Sequence, residues 1–295
     1  MRMWRRPLII AGYLCYAAAL FVLFAYLKFP SQQVRDFVLA TLSRYGLEQV
    51  RVGSVQPLLP AGLTFSDVSV AHEVNGQPLE LMRMPELQIQ LRTLPPFATL
   101  TRIALAGGLY GGSILGAAEW ERNGKGPILA IRINLQDIRP GVHPLAARLG
   151  NAALEGKVAG NMTLRLSGAQ WQDGDGRLII QGDAGSISGL EISGMRLPSL
   201  GYEQLAGELA FQQRSVMIKD FQLRGRDWQV DLQGHLSLSE RLQQSPLDLT
   251  LRLRASEALE QQLGIIGMLL KQRRDRRGFT SFKIGGTLEH PNPVL

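Results

Sequence analysis

Cysteine is nearly missing from this chain: of 295 residues only Cys15 carries a thiol. An intrachain disulfide is therefore excluded, and so is a cysteine-based zinc cluster. An oxidising compartment stays open to a fold that makes no use of its chemistry. Histidine is almost as scarce. His72, His143, His235 and His290 are scattered, and none stands in an H-E-x-x-H or comparable metal-binding spacing. Aromatic residues make up 7% of the chain and do not cluster with the basic ones. That argues against the stacking platforms of nucleic-acid binders, so no nucleic-acid partner is expected.

Catalytic signatures are absent as well. "GGSILG" at 111–116 holds glycines and a serine but not the G-x-S-x-G spacing of a nucleophile elbow. No G-x-x-x-x-G-K-[ST] phosphate loop occurs. "DGDG" (Asp173 to Gly176) opens like a calcium loop yet lacks its later ligands, including the closing glutamate. It reads better as a hairpin turn before "RLIIQG". The carboxylates are spread along the chain with no obvious acid–base pair. The sequence therefore predicts no cofactor, no metal and no enzyme.

Long apolar runs are limited to one, "PLIIAGYLCYAAALFVLFAYLK". From Leu8 to Leu27 it contains no charge, and its length matches the roughly 20 residues a helix needs to cross a bilayer. Arg2, Arg5 and Arg6 precede it and Lys28 alone follows at once. The positive-inside rule then puts the short N-terminal tail in the cytoplasm and everything past Pro30 on the far side. A cleaved signal peptide with Ala17-Ala18-Ala19 near the cleavage point is the rival reading. Against it, the apolar run continues through "LFVLFAYL", where a mature terminus should turn polar. Cys15 is a small apolar residue within the span, since Tyr13 and Leu14 before it fit no lipoprotein box.

What the chain does contain is glycine and alternation. Its 32 glycines punctuate short apolar runs, which favours many turns and a mainly β architecture. "SQQVRDFVLATLSRYG" comes first after the anchor. Val34, Phe37, Val38, Leu42 and Tyr45 fall at helical spacing behind a Ser31 N-cap. This amphipathic helix would cover a sheet end or lie on the bilayer. From Gln49 the period changes to two. "ILAIRINL" sets Ile131 and Ile133 on one side, "MTLRLSG" does the same for Leu164 and Leu166, and "LDLTLRLRA" for Leu249, Leu251 and Leu253. Turn signals every 8 to 12 residues are those of a meandering antiparallel sheet. A short helix is expected around "HPLAARLG", and "FTSFKIGGTLEHP" reads as the last strand. Three parts are expected: residues 1–30 as tail and anchor, 31–48 as membrane-proximal helix, and 49–295 as a β-rich body.

Two groups of residues are candidate contact sites. If the sheet curls without closing, Ile131, Ile133, Leu164, Leu166, Leu249, Leu251 and Leu253 would line an apolar trough able to hold phospholipid acyl chains. Near the end, "SEALEQQLGIIGMLLKQRRDRRG" predicts a helix with Leu259, Leu263, Ile266 and Leu270 as its apolar stripe. Lys271, Arg273, Arg274, Arg276 and Arg277 crowd its C-terminus. Cations there complement the helix dipole, but five are more than a cap needs, and an anionic lipid or acidic partner is the second reading. The net charge of +7 would suit an anionic surface too.

The order of these features resembles the N component of bacterial type II secretion (general secretion pathway protein N, longer form). The resemblance rests on "YLKFP", "QQVRDFVLATL", "VRVGSVQPLLPAGLTFSDVSV", "LAGGLYGGSILG" and "FKIGGTLEHPNP". The texture is similar, more broadly, to AsmA-like envelope proteins. It implies an inner-membrane, single-pass protein whose periplasmic body is a large curved antiparallel sheet with a few short amphipathic helices. Other type II secretion components would be its partners. The AsmA-like side of the resemblance implies lipid binding or trafficking instead.

Overall fold

In a computed structural model of the chain, the residues described are 26–44, 50–74, 77–93, 100–123, 126–142, 153–167, 174–189, 191–192, 195–239, 244–288 and 290–294, with positions 13, 16, 17, 20 and 24 before them. The protein is mainly β. Fifteen strands form one antiparallel sheet whose order follows the sequence almost throughout.

The sheet begins at an edge made of β1 (Val50–Arg51) and β2 (Ser54–Leu58), which pair with successive stretches of β3 (Gly62–Val74). It continues through β4 (Gln77–Leu91), β5 (Leu100–Leu109), β6 (Gly112–Asn123) and β7 (Gly126–Ile138). Next come β9 (Val158–Ser167), β10 (Asp175–Gly182), β15 (Gln204–Gln212), β16 (Ser215–Arg224), β17 (Trp228–Ser237) and β18 (Leu247–Ala255). The far edge is β19 (Thr280–Gly286) and β20 (Pro291–Val294). The first and last strands are not paired with each other, so the sheet stays open. The two prolines of β20 suit an edge, where a missing N–H breaks no ladder.

Two detours interrupt this order. The segments after β7 and β10 supply β8 (Ala153–Glu155), β11 (Gly185–Ser188) and β14 (Leu200–Tyr202), a separate three-stranded sheet. A two-stranded ribbon, β12 (Glu191–Ile192) and β13 (Met195–Arg196), sits within the second detour. Both detours leave from the strand end marked by Ile138 and Gly182, and that end also receives every helix described below.

Turn chemistry explains two hairpins that glycine alone does not. Gln213 and Arg214 have φ of 45° and 63°, and Tyr110 and Gly111 have 46° and 75°. Two successive residues of positive φ make the type I′ turn, whose twist matches that of the strands it joins. Tyr110 is a bulky residue to find there. Its ring is buried, and its hydroxyl accepts the Arg83 backbone N–H at 3.2 Å.

Helix α1 (Ser31–Arg44) forms where the 3.6-residue period predicts it. Ser31 is its first residue rather than its cap. Its hydroxyl meets the Phe29 carbonyl oxygen at 3.5 Å, and Val34 N–H bonds the Pro30 carbonyl instead. Val34 and Val38 pack with Phe29 on a cluster of Val55, Phe65, Val68, Met84, Leu109 and Tyr110, so α1 covers sheet. Phe37, expected on the apolar side, points to solvent, and Tyr45 lies outside the described residues. So does the helix expected around "HPLAARLG".

Two expectations for the C-terminal region need correction. The single helix is two: α2 (Glu257–Gln262) and α3 (Ile265–Gln272). Gly264, at φ 58°, breaks the run. A continuous stripe is therefore not formed: Leu259 and Leu270 are buried, Leu263 is half-buried, and the side chain of Ile266 lies outside the described ones. Nor is "FTSFKIGGTLEHP" the last strand, because the chain turns after Gly286 and adds β20. Among the described residues no helix is long and apolar enough to cross a membrane, and most of residues 8–27 lie outside them.

Candidate functional site

The strand register puts all seven predicted trough residues on one face. Ile131 pairs with Leu164, Leu129 with Leu166, and Ile133 with Met162. From Met162 the same row runs through Leu178, Leu209, Ile218 and Gly234 to Leu249, then Ile284. A parallel row passes Gly160, Ile180, Gly207, Phe221 and Leu232 to Leu251 and Phe282. Leu253 belongs to a third row with Val230, Leu223, Leu205 and Gly182. Six strand-to-strand steps separate β7 from β18, about 29 Å at the usual spacing.

The opposite face is polar and laced by ion pairs that cross strands. Glu119 lies between Arg102 (3.3 Å) and Arg132 (3.6 Å), and Glu208 between Arg177 (2.6 Å) and Lys219 (3.1 Å). The Arg177 guanidinium and then the Lys219 ammonium, both hydrogen-bonded to Glu208, hold its carboxyl below the usual range. Such solvated pairs contribute little singly. They do fix which face is wet.

Buried apolar side chains form two clusters among the described residues, and other side chains, such as Ser245 and Val216 (the latter on the apolar face), are buried outside both. One is the cluster under α1. The other joins Tyr202, Leu223, Trp228 and Leu259, with Leu154, Ile187, Leu200, Leu205 and Val230 packed around them. There the small sheet and α2 close over the strand end. Tyr202 is 2% exposed, and its hydroxyl donates to the Glu155 carbonyl oxygen at 2.8 Å. Trp228 Nε1–H donates to the Gly201 carbonyl oxygen at 2.8 Å. Burial raises the Tyr202 phenol above its ordinary pKa.

None of the seven trough residues belongs to either cluster, and each remains half-buried. A cavity of about 180 Å³ opens on this part of the face, lined by Met162, Leu164, Phe211 and Leu238 among others.

The five predicted cations divide. Arg274 turns inward and pairs with the buried carboxylate of Glu260. Lys271, Arg273, Arg276 and Arg277 point outward. Asp275 shapes the turn between them, its Oδ1 accepting the backbone N–H groups of Arg277 and Phe279, each at 2.8 Å. Those bonds, the one from Phe279 foremost, hold its carboxyl below the ordinary value. Glu260 was invisible as a site residue from sequence, because it looks like any other charge on the wet side of a helix.

No three His, Cys, Asp or Glu residues gather as a metal cage among the described residues. Open apolar surface and a cationic rim are what the arrangement offers chemically. No family model, no curated protein and no solved structure matches the chain.

Proposed function

We propose that this chain is an inner-membrane accessory of a bacterial type II secretion system, a binding protein and not an enzyme. Residues 8–27 tether it, and the sheet stands in the periplasm as a curved, AsmA-like body. The observation that carries this reading is an apolar face spanning β7 to β18 on which Ile131, Ile133, Leu164, Leu166, Leu249, Leu251 and Leu253 stay half-buried and outside both buried clusters. Such a surface serves recognition, and the open sheet edges offer a second means of docking, since an unpaired strand accepts a partner strand. The resemblance in "YLKFP", "QQVRDFVLATL" and "FKIGGTLEHPNP" names the pathway. The anchor rests on the uncharged run from Leu8 to Leu27 with Arg2, Arg5 and Arg6 before it. Curvature is favoured by glycines in the apolar rows: Gly116 lies against Leu105 and Gly207 against the Phe221 ring, where a Cβ would come within 2.8 Å of each neighbour.

The test is genetic and physical together. Deleting the gene should trap secreted enzymes in the periplasm, and crosslinking in intact cells should join this chain to other secretion components. Normal secretion with no such crosslink would refute the proposal.

The cavity at Met162, Leu164, Phe211 and Leu238 favours a second reading, an AsmA-like lipid carrier. Each methylene moved from water onto the trough would contribute about 0.8 kcal/mol. Native mass spectrometry should then find co-purified phospholipid. Lipid-free protein would remove this reading and leave the first standing.

A further inference from the structure

The long connections all leave from one end of the strands. That end carries the β7–β9 and β10–β15 detours, the small sheet and the α2–α3 hairpin between β18 and β19. Helix α1 packs on β1 and β2, against the cluster that also holds Leu109 and Tyr110. If residues 8–27 cross the membrane, Ser31 lies only four residues beyond, at most about 14 Å of chain. This rim of the sheet is then the one nearest the bilayer.

On that rim, the α2–α3 hairpin has the composition of an interfacial element. Met268 is 63% and Leu269 56% exposed, although both are apolar, and they sit one turn before Lys271 and Arg273 respectively. The outward cations Arg276 and Arg277 follow in the turn after α3, and Glu257 lines the hollow that Met268 and Lys271 share. The hairpin is held firmly from beneath. Arg274 is tied to Glu260, the Thr280 hydroxyl donates to the Leu270 carbonyl at 2.8 Å, and Phe279 lies between Arg252 and Arg254, 5.0 and 5.2 Å from its ring centre. Beside it a cleft of about 350 Å³ is lined by Arg224, Arg226 and Arg254, with Asp227 its one acid. Apolar side chains ringed by cations bind the headgroup region of anionic bilayers.

We propose that this hairpin seats on an anionic phospholipid surface, with Met268 and Leu269 entering the headgroup layer and Lys271, Arg273, Arg276 and Arg277 meeting lipid phosphates. The inference rests on the membrane-anchored reading above. It gives the body two attachments to one membrane, α1 near the first strands and the hairpin near the last, so that the sheet stands on its strand ends.

The test uses the full chain with Cys15→Ala and Leu269→Cys, labelled at residue 269 with an environment-sensitive fluorophore. The protein is reconstituted in vesicles of brominated phosphatidylcholine, with or without phosphatidylglycerol. Blue-shifted emission and quenching should appear only with phosphatidylglycerol and weaken as salt is added. Replacing the four outward cations by Gln should cut the quenching about twofold or more. Arg274 is left intact, so the hairpin keeps its buried pair. A water-exposed dye in both vesicles, as expected if an acidic protein is the true occupant, would overturn the proposal. So would quenching indifferent to lipid charge. Resistance to alkaline carbonate extraction reads the anchor separately, so loss of that resistance would count against residues 8–27 and not against the hairpin.

Discussion

Leu223→Ala and Leu251→Ala remove the same atoms from the same face and should differ severalfold in cost. Leu223 is 8% exposed and packed with Tyr202, Trp228 and Leu259. Removing it loses about 2.4 kcal/mol of transfer free energy, taken as three methylene equivalents, and leaves a cavity that rigid neighbours cannot close. A total of about 3 to 4 kcal/mol follows. Leu251 is half-buried, between Leu232 and Phe282 and outside both clusters. Only part of its transfer term applies and no sealed void forms, so about 1 kcal/mol is expected. At roughly 2 °C per kcal/mol for a body of this size, the midpoints should fall by about 7 °C and about 2 °C. Thermal unfolding followed by circular dichroism, on delipidated protein in one detergent, makes the comparison. Equal losses would mean that Leu251 sits in a closed core, and the open apolar face would be refuted.

Three further outcomes follow from named contacts. Tyr202→Phe should cost about 1 kcal/mol through the lost bond to Glu155. Because burial raises the phenol above 10.0, its contribution is complete below that pH and disappears as pH climbs through the folded value. A plot of midpoint against pH should therefore fall less steeply at the alkaline end in Tyr202→Phe. At the acid end the sign reverses for Asp275, whose carboxyl is held below 3.8. Its stabilisation is present above that pH and is lost on acidification through the folded value, so Asp275→Asn should flatten the acid limb of the same plot. Glu260→Ala strands Arg274 and should cost about 2 kcal/mol, and adding Arg274→Met should recover part of it in denaturant titrations.

Period-two alternation made the strands readable. "LDLTLRLRA" is β18 to the residue, and its leucines face the way the pattern says. That Ile131, Ile133, Leu164, Leu166, Leu249, Leu251 and Leu253 share one face was readable for the same reason, since alternation assigns a face without any knowledge of partners. Partners themselves were not readable. That β7 skips β8 to meet β9 depends on a detour through the small sheet, and local composition carries no mark of it. Gly264 breaks a run, "LGIIGMLL", that is apolar on both sides of the break, so the period gave no sign of two helices. Glu260 shows the same limit for charge: burial beside Arg274 is set by how α2 and α3 fold back on each other, fourteen residues apart.

Because nearly every strand of the main sheet lies beside its predecessor in the chain, the ribbon can be assembled in the order in which it emerges, each new strand templated by the one just laid down. It can also be lengthened or shortened by whole hairpins without rewiring the rest. A descendant with two more strands would have a longer apolar face, and one with two fewer a shorter one, on the same footing.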